Sequence, residues 1–250
     1  MRPAFLDHPG PLAFAHRGGA LDAPENSMAA FEAAVRLGFR YLETDVHVTA
    51  DGVLVAFHDA RLDRVTDRSG AIADLTWEEV RRARIDGHGE IPTFEDLLGA
   101  WPHVRVNVDP KADSAVDPLI DAIKRTGAAD RVCVGAFSDR RIGRVAAAVG
   151  QALCTGMGPR AIARLRGASL GAPTGAIPGH CAQVPSHMGR LPLVTRRFVD
   201  TAHRLGKVVH VWTIDDPDEM HRLLDLGVDG IMTDRPAVLR SVLETRNAWS

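Results

Sequence analysis

The chain has 250 residues, 45% of them hydrophobic and 25% charged, with a formal net charge of −2. That length holds one large core or two small ones, and the near-neutral balance does not suggest nucleic acid or an anionic membrane surface as a partner. No run approaches the roughly 18 apolar residues of a membrane span, and the N-terminus has no apolar stretch of signal-peptide length. The three cysteines, Cys133, Cys154 and Cys181, form no CxxC pair and read as buried thiols of a reducing compartment. A cytoplasmic protein without a stable membrane anchor is expected.

In chain order, Leu12–His16 is a short apolar run stopped by Arg17-Gly18-Gly19, and it reads as a buried strand. Pro24–Leu37 reads as a helix. Pro24 suits its start, Asn26 or Ser27 its cap, and Met28, Phe31, Ala34 and Val35 its apolar stripe, with Gly38 as the stop. Arg40–Asp45 is the second strand, and it opens the stretch around which the chain is organised. Asp51-Gly52 is a strong hairpin signal, because a type I′ turn needs φ > 0 at both central residues. With those two residues as the whole loop, Val48 faces Val55, Val46 faces Phe57 and Asp45 faces His58. The valines and Phe57 then share one face, and Glu43, Asp45, His47 and His58 share the other.

Residues 59–92 are polar and rich in Arg and Asp, and are expected to form a small cap with one helix over 76–84. Thr93–Ala100 is a helix. Strand and helix then alternate, with strands expected at Val104–Asp109, Arg131–Phe137, Ala152–Thr155, Cys181–Val184, Lys207–Thr213 and Val228–Thr233. With the first two strands the total is eight. Alternation implies a parallel sheet with helical crossovers, and eight such units imply a closed (β/α)8 TIM barrel of α/β class, taken as one domain over 1–250.

The chemistry of such a barrel sits at the C-terminal ends of its strands. The third strand alternates: Val104, Val106 and Val108 face the helices, while Arg105, Asn107 and Asp109 face the interior. Asp109 is therefore aimed at the same space as Glu43 and Asp45. Three carboxylates there repel one another unless a cation intervenes. Oxygen ligands select a hard divalent ion such as Mg²⁺, Ca²⁺ or Mn²⁺. Asp109 could instead only pair with Lys111. Arg17 offers a planar fork for phosphate oxygens, and Lys111 a compact point charge. His16 and His58 suit an acid and a base on opposite sides of a substrate; taken singly, each would read as a core histidine. His47 lies further along the hairpin and reads as structural or peripheral. Trp212 is expected as an apolar wall of the site.

These residues bring a family into view. His16-Arg-Gly, Pro24-Glu-Asn-Ser27 with Phe31, Glu43-Thr-Asp45-Val, the Asp-Gly turn with His58-Asp59, Trp212-Thr and Gly227-Val-Asp-Gly-Ile-Met-Thr-Asp-Arg-Pro236 together resemble the glycerophosphodiester phosphodiesterase family. The resemblance implies a β/α barrel with an insertion after the hairpin. It implies one divalent cation held by Glu43, Asp45 and Asp109, catalysis by His16 and His58, and phosphate contacts from Arg17 and Lys111. Where the family usually has Glu-x-Lys, this chain has Asp109-Pro110-Lys111. The implied reaction is metal-dependent hydrolysis of a small-molecule phosphodiester, a glycerophosphodiester giving sn-glycerol 3-phosphate and an alcohol. His58 is taken as the acid and His16 as the base. The alternatives are a lysophospholipase D-like or sphingomyelinase D-like enzyme acting on a lipid phosphodiester, and a non-catalytic phosphate-ligand-binding barrel.

Overall fold

Strand β1 (Leu12–His16) pairs in parallel with β2 (Tyr41–Val48) on one side and β8 (Gly230–Thr233) on the other. The structure, a computed structural model, describes residues 2–21 and 23–249. From β2 the sheet continues through β3 (Arg105–Pro110), β4 (Val132–Val134) and β5 (Cys154–Thr155), and from β8 through β7 (Val208–Trp212) and β6 (Cys181–Pro185). Each neighbouring pair is parallel. The ring closes at a single bridge, Gly156 to Cys181, where the Met157 amide donates to the Cys181 carbonyl at 2.9 Å and the His180 amide to the Thr155 carbonyl at 2.8 Å. The expected (β/α)8 barrel is thus the fold. Met1, Asp22 and Ser250, which the one-domain expectation included, lie outside the described residues.

The helices are α1 (Met28–Arg36), α2 (Trp77–Val80), α3 (Phe94–Ala100), α4 (Val116–Arg125), α5 (Asp139–Val149), α6 (Pro159–Ser169), α7 (Arg196–Arg204), α8 (Pro217–Asp225) and α9 (Pro236–Thr245). Side-chain caps start several of them: Ser27, Ser138, Thr195 and Asp216 each accept a backbone N–H three residues on, worth about 1 kcal/mol apiece. Helix α1 begins at Met28 rather than at Pro24. Asn26 takes φ +56°, so the Pro24–Asn26 segment is a turn and Ser27 is the cap. None of the helices described is long and apolar enough to cross a membrane.

Strand alternation sorts the side chains into two cores. Leu42, Val46, Val106, Val108, Val134 and Ile231 pack outward against the helices. Phe14, Tyr41, Cys133, Cys154, Cys181 and Met232 point inward and fill the lower barrel, closed from below by Phe5 and Leu6 of the N-terminal 3-10 turn. At mid-height the glycines that follow β4 and β5 matter. A Cβ on Gly135 or Gly156 would come within 2.8 or 3.1 Å of the Gln183 amide oxygen, so their absence lets Gln183 reach across the barrel.

The hairpin differs from the expected two-residue turn. The return strand Leu54–Ala56 pairs with β2 as Val46↔Ala56, His47↔Val55 and Val48↔Leu54, one residue away from the expected register. Gly52 N–H donates to Thr49 O and Thr49 N–H to Val53 O, so Ala50, Asp51 and Gly52 all lie in the loop. Only Gly52 of the three has positive φ, +88°, which is the three-residue solution with glycine in the left-handed position. Asp51 has contacts that sequence alone does not reveal: its carboxylate accepts from Thr49 Oγ1 at 2.6 Å and from the Trp77 amide of α2 at 2.8 Å. The slip exchanges faces. Val46 and Leu54 stay with the main core, whereas Val55 and Phe57 join a separate core of the insertion with Leu62, Ile72, Val80 and Ile85. The insertion is built of 3-10 turns, the single turn α2 and a two-residue ladder pairing Arg84–Ile85 with Gly89–Glu90, not of one helix over 76–84. A second small ladder, His187–Met188 with Leu191–Pro192, follows β6.

Candidate active site

Register alone brings the rim together. His16 pairs with Glu43 across β1 and β2, and Asp45 with Asp109 across β2 and β3. His16 Nε2 lies 3.7 Å from Glu43 Oε2, which also accepts the Arg17 amide at 3.3 Å. Arg17 is held at φ +51° by the turn into α1, and a Cβ on the following Gly18 would meet Ala30 Cβ at 2.7 Å. The glycine therefore lets this loop approach the helix that sits under it. The Arg17 guanidinium bonds Glu25 at 3.1 Å, and its Nε stands 3.4 Å from Asp45 Oδ2 without hydrogen-bond alignment. Lys111 places its ammonium 2.7 Å from Asp45 Oδ1 and 3.0 Å from Asp109 Oδ2.

The three carboxylates face the same rim without forming a tight cluster. Among the described residues the one group of three or more that brings its ligand atoms within 4.8 Å of one another is that of the Cys133, Cys154 and Cys181 thiols. Lys111 separates Asp45 from Asp109. The donor set nevertheless fits a hard cation. Asp45 Oδ2 and Asp109 Oδ1 are buried with no hydrogen-bond partner, which is costly for a carboxylate unless positive charge is near. Burial, with the Asp45 charge beside it, pushes the Glu43 carboxyl up to about 7. Burial also raises Asp109, against the pull of Lys111. Burial alone would lower Lys111, but Asp45 and Asp109 outweigh it and its pKa rises.

Both histidines carry a carboxylate on Nδ1. His16 Nδ1 is 2.6 Å from Asp234 Oδ1, at the end of β8, and Asp234 is itself fixed by Asp215, which accepts its amide at 2.7 Å. Burial would lower the His16 pKa; Glu43 and Asp234 outweigh it and the net shift is upward. His58 Nδ1 is 2.6 Å from Asp59 Oδ1. Asp59 accepts from Arg64, Arg64 bonds Glu25, and Glu25 bonds Arg17. A chain of ion pairs therefore links the two sides of the rim. His58 reaches that position because the strand ends at Ala56 and the chain turns, not by strand alternation. It makes no ion pair with Glu43, Asp45 or Asp109 among the described residues. His47 donates from Nε2 to the His58 carbonyl at 3.0 Å, pinning the chain there, and burial lowers its pKa.

Trp212 ends β7 at the same rim, edge-to-face with Phe137 at 5.9 Å between ring centroids. Phe137, just beyond β4, is 73% exposed. Sequence reasoning missed the roles of Glu25, Arg64 and Asp234. Glu25 and Asp234 stand inside quoted motifs, but nothing local marks their partners, which are 8 to 218 positions away. Asn26, in its left-handed conformation, accepts from Thr44 Oγ1 at 2.7 Å, so part of the Pro24–Ser27 motif serves to tie the first loop to β2.

Fold and rim define a β/α-barrel protein whose strand ends carry a carboxylate-bound histidine, His16, beside a buried cluster of acidic and basic side chains. The sequence profile of the glycerophosphoryl diester phosphodiesterase family matches residues 16–238, and the chain belongs to that family. A Mycobacterium tuberculosis protein named "Probable glycerophosphodiester phosphodiesterase 2" is 45% identical over 251 residues, covering 98% of this chain and 95% of its own. The glycerophosphodiester phosphodiesterase of Caldanaerobacter subterraneus subsp. tengcongensis is 32% identical, covering 91% and 96%. Among solved structures, an Oleispira antarctica phosphodiesterase in complex with the product sn-glycerol-3-phosphate shares the fold with a TM-score of 0.76 at 21% identity, covering 94% of this chain and 97% of that one.

Proposed function

We propose that this phosphoric diester hydrolase cleaves a glycerophosphodiester to sn-glycerol 3-phosphate and an alcohol. The observation that carries the reading is the rim itself: His16, Arg17, Glu43, Asp45, Asp109 and Lys111 meet at the ends of β1, β2 and β3 in a chain of this family. The relatives' names, and the product held by the Oleispira antarctica structure, point to the same substrate class.

A divalent cation would be held by Glu43, Asp45 and Asp109, and would supply positive charge opposite the phosphoryl oxygens. Arg17 and Lys111 add fixed positive charge on the same side, orienting the phosphate and offsetting charge that builds on its oxygens. Asp234 holds His16 Nδ1, which leaves Nε2 free to take a proton from the attacking hydroxyl, whether water or the substrate's glycerol hydroxyl. Asp59 holds His58 Nδ1 in the same way, leaving its Nε2 to protonate the departing alcohol oxygen as the P–O bond breaks. A second reading, a lipid phosphodiester as substrate, rests on the exposed Phe137 ring against Trp212, an apolar shelf at the rim.

The test is release of sn-glycerol 3-phosphate from a panel of glycerophosphodiesters, and of lysophosphatidic acid from one lysophospholipid, after chelation and with Mg²⁺, Mn²⁺ and Ca²⁺ restored in turn. Turnover of a glycerophosphodiester that chelation abolishes and one of these ions restores is expected. No turnover of any substrate with any ion overturns the reading, and preference for the lysophospholipid selects the second one.

A further inference from the structure

Below the rim the barrel interior holds a cluster that the hydrolytic reading does not use. Cys133, Cys154 and Cys181 sit on β4, β5 and β6, and all three are fully buried. Cys133 and Cys154 are register partners, and Cys181 bridges the residue two beyond Cys154. All three thiols point inward, with their sulfurs within 4.8 Å of one another and Cys133 Sγ 3.7 Å from Cys181 Sγ. A tetrahedral zinc with bonds of about 2.3 Å sets its sulfurs about 3.8 Å apart, so this spacing is close to that of a formed ligand set.

A second observation points the same way. His210, on the adjacent β7, is fully buried, and its Nε2 has no hydrogen-bond partner. The register pairs Val208 with Cys181 and His210 with Gln183, so His210 and Cys181 share the inward face as diagonal neighbours, with the imidazole outside the 4.8 Å cluster that the three sulfurs form. Phe14 packs against that ring at 5.0 Å between centroids, and the Gln183 amide stands 3.5 Å from Nδ1. The imidazole is thus oriented from both sides while one nitrogen goes unused. An unpaired nitrogen in a dry core is costly, and a histidine ligand whose other nitrogen meets a polar partner is the usual arrangement at metal centres.

We propose that Cys133, Cys154 and Cys181 form a site for a thiophilic divalent cation, Zn²⁺ by its donor chemistry, on which the neighbouring His210 closes as the fourth ligand. Three thiolates and one imidazole select zinc, whereas the oxygen set at the rim selects a hard ion. Each thiol gives up its proton on coordination. The location supplies a purpose: β4 and β5 are only three and two residues long, and one bridge closes β5 to β6. An ion bound there would join β4, β5, β6 and β7 across the weakest seam of the barrel.

The experiment uses the full chain, purified under reducing conditions, stripped of metal and titrated with Co²⁺ as the probe. Expected is one equivalent bound with sulfur-to-cobalt charge-transfer absorption in the near ultraviolet, displaced by Zn²⁺, and a rise in melting temperature with the ion. An oxygen-only site cannot give that band, so it should survive in Glu43→Gln and disappear in Cys133→Ala and Cys181→Ala. His210→Phe should alter the ligand-field bands while leaving the charge transfer. Should the alanine variants fail to fold, the wild-type spectrum still decides. A folded, reduced wild type with no charge-transfer band at saturating Co²⁺ overturns the proposal.

Discussion

The rim holds the same device in two settings. His16 belongs to the barrel: its side chain is 15% exposed and its carboxylate partner arrives from the last strand, 218 positions away. His58 belongs to the edge of the insertion: its side chain is 33% exposed, its partner is the next residue, and that partner is held by Arg64 of the insertion. One pair is fixed by the closure of the whole barrel and the other by a local turn and a few exposed ion pairs. Exposed pairs are individually weak and screened by salt. The difference teaches that the His58 side of the site can be perturbed locally, whereas the His16 side can be perturbed only with the barrel.

The largest effects should come from removing either ring. His16→Ala and His58→Ala should each lower kcat by about 10²-fold or more in folded protein, the scale of a lost general acid or base. A wild-type rate in either variant would remove that residue from the mechanism and break the parallel between the two sides.

Next is the third carboxylate. Asp109→Asn removes an anionic ligand at nearly constant volume, and should raise the metal concentration for half-maximal activity by at least about tenfold, since even partners one step removed from a ligand carry that much. Asp109→Glu should keep substantial activity with an altered metal preference. If Asp109 serves only Lys111, metal titrations of both variants will overlay the wild type.

The carboxylate partners sharpen the comparison further. Asp234→Asn should cost about tenfold in kcat/KM or more, short of losing the ring. Asp234 raises the His16 pKa, so its loss lowers that pKa. A base that stays unprotonated to lower pH moves the acidic limb of the pH profile downward, and an upward movement would contradict His16 as the base. Asp59→Asn should have the smaller effect, and one that grows less distinct with salt, because its support is exposed.

The smallest expected effect is on stability. Burial works against the Glu25 carboxylate, but the Arg64 hydrogen bond and the Arg17 charge outweigh it and its pKa is lowered. A carboxyl with a depressed folded-state pKa stabilises the fold above its unfolded value, and this is lost as pH falls through the folded value. Glu25→Gln should therefore melt a few degrees below wild type at neutral pH, the scale of about 1 kcal/mol in a chain of this length. The gap should close in acid. A gap constant with pH would assign the loss to packing.

Much of this was legible in the sequence. Strict alternation placed Asn107 and Asp109 inward and Val106 and Val108 outward on β3, because side chains change face at every residue. Eight such runs separated by helices left few topologies besides a barrel. The hairpin register was not legible. Asp51-Gly52 favours a two-residue turn by local propensity, and the bond from the Trp77 amide to Asp51, 26 positions away, accompanies a three-residue loop instead. One residue of slip then sent Val55 and Phe57 to a core that the local pattern could not announce.

By itself, then, the sequence determined the eight strands of the barrel, which face of each is polar, and that His16, Glu43, Asp45 and Asp109 belong to one end of it. All of these follow from the short-range geometry of an extended chain. Only the tertiary structure decided what each group touches: Asp234 on His16, Lys111 between two carboxylates, Glu25 joining two arginines, and three cysteines meeting beside a histidine with a free nitrogen. Ring closure decides these contacts, because it makes neighbours of strand ends far apart in the chain, and no periodicity within a segment encodes the residue that another strand will set against it.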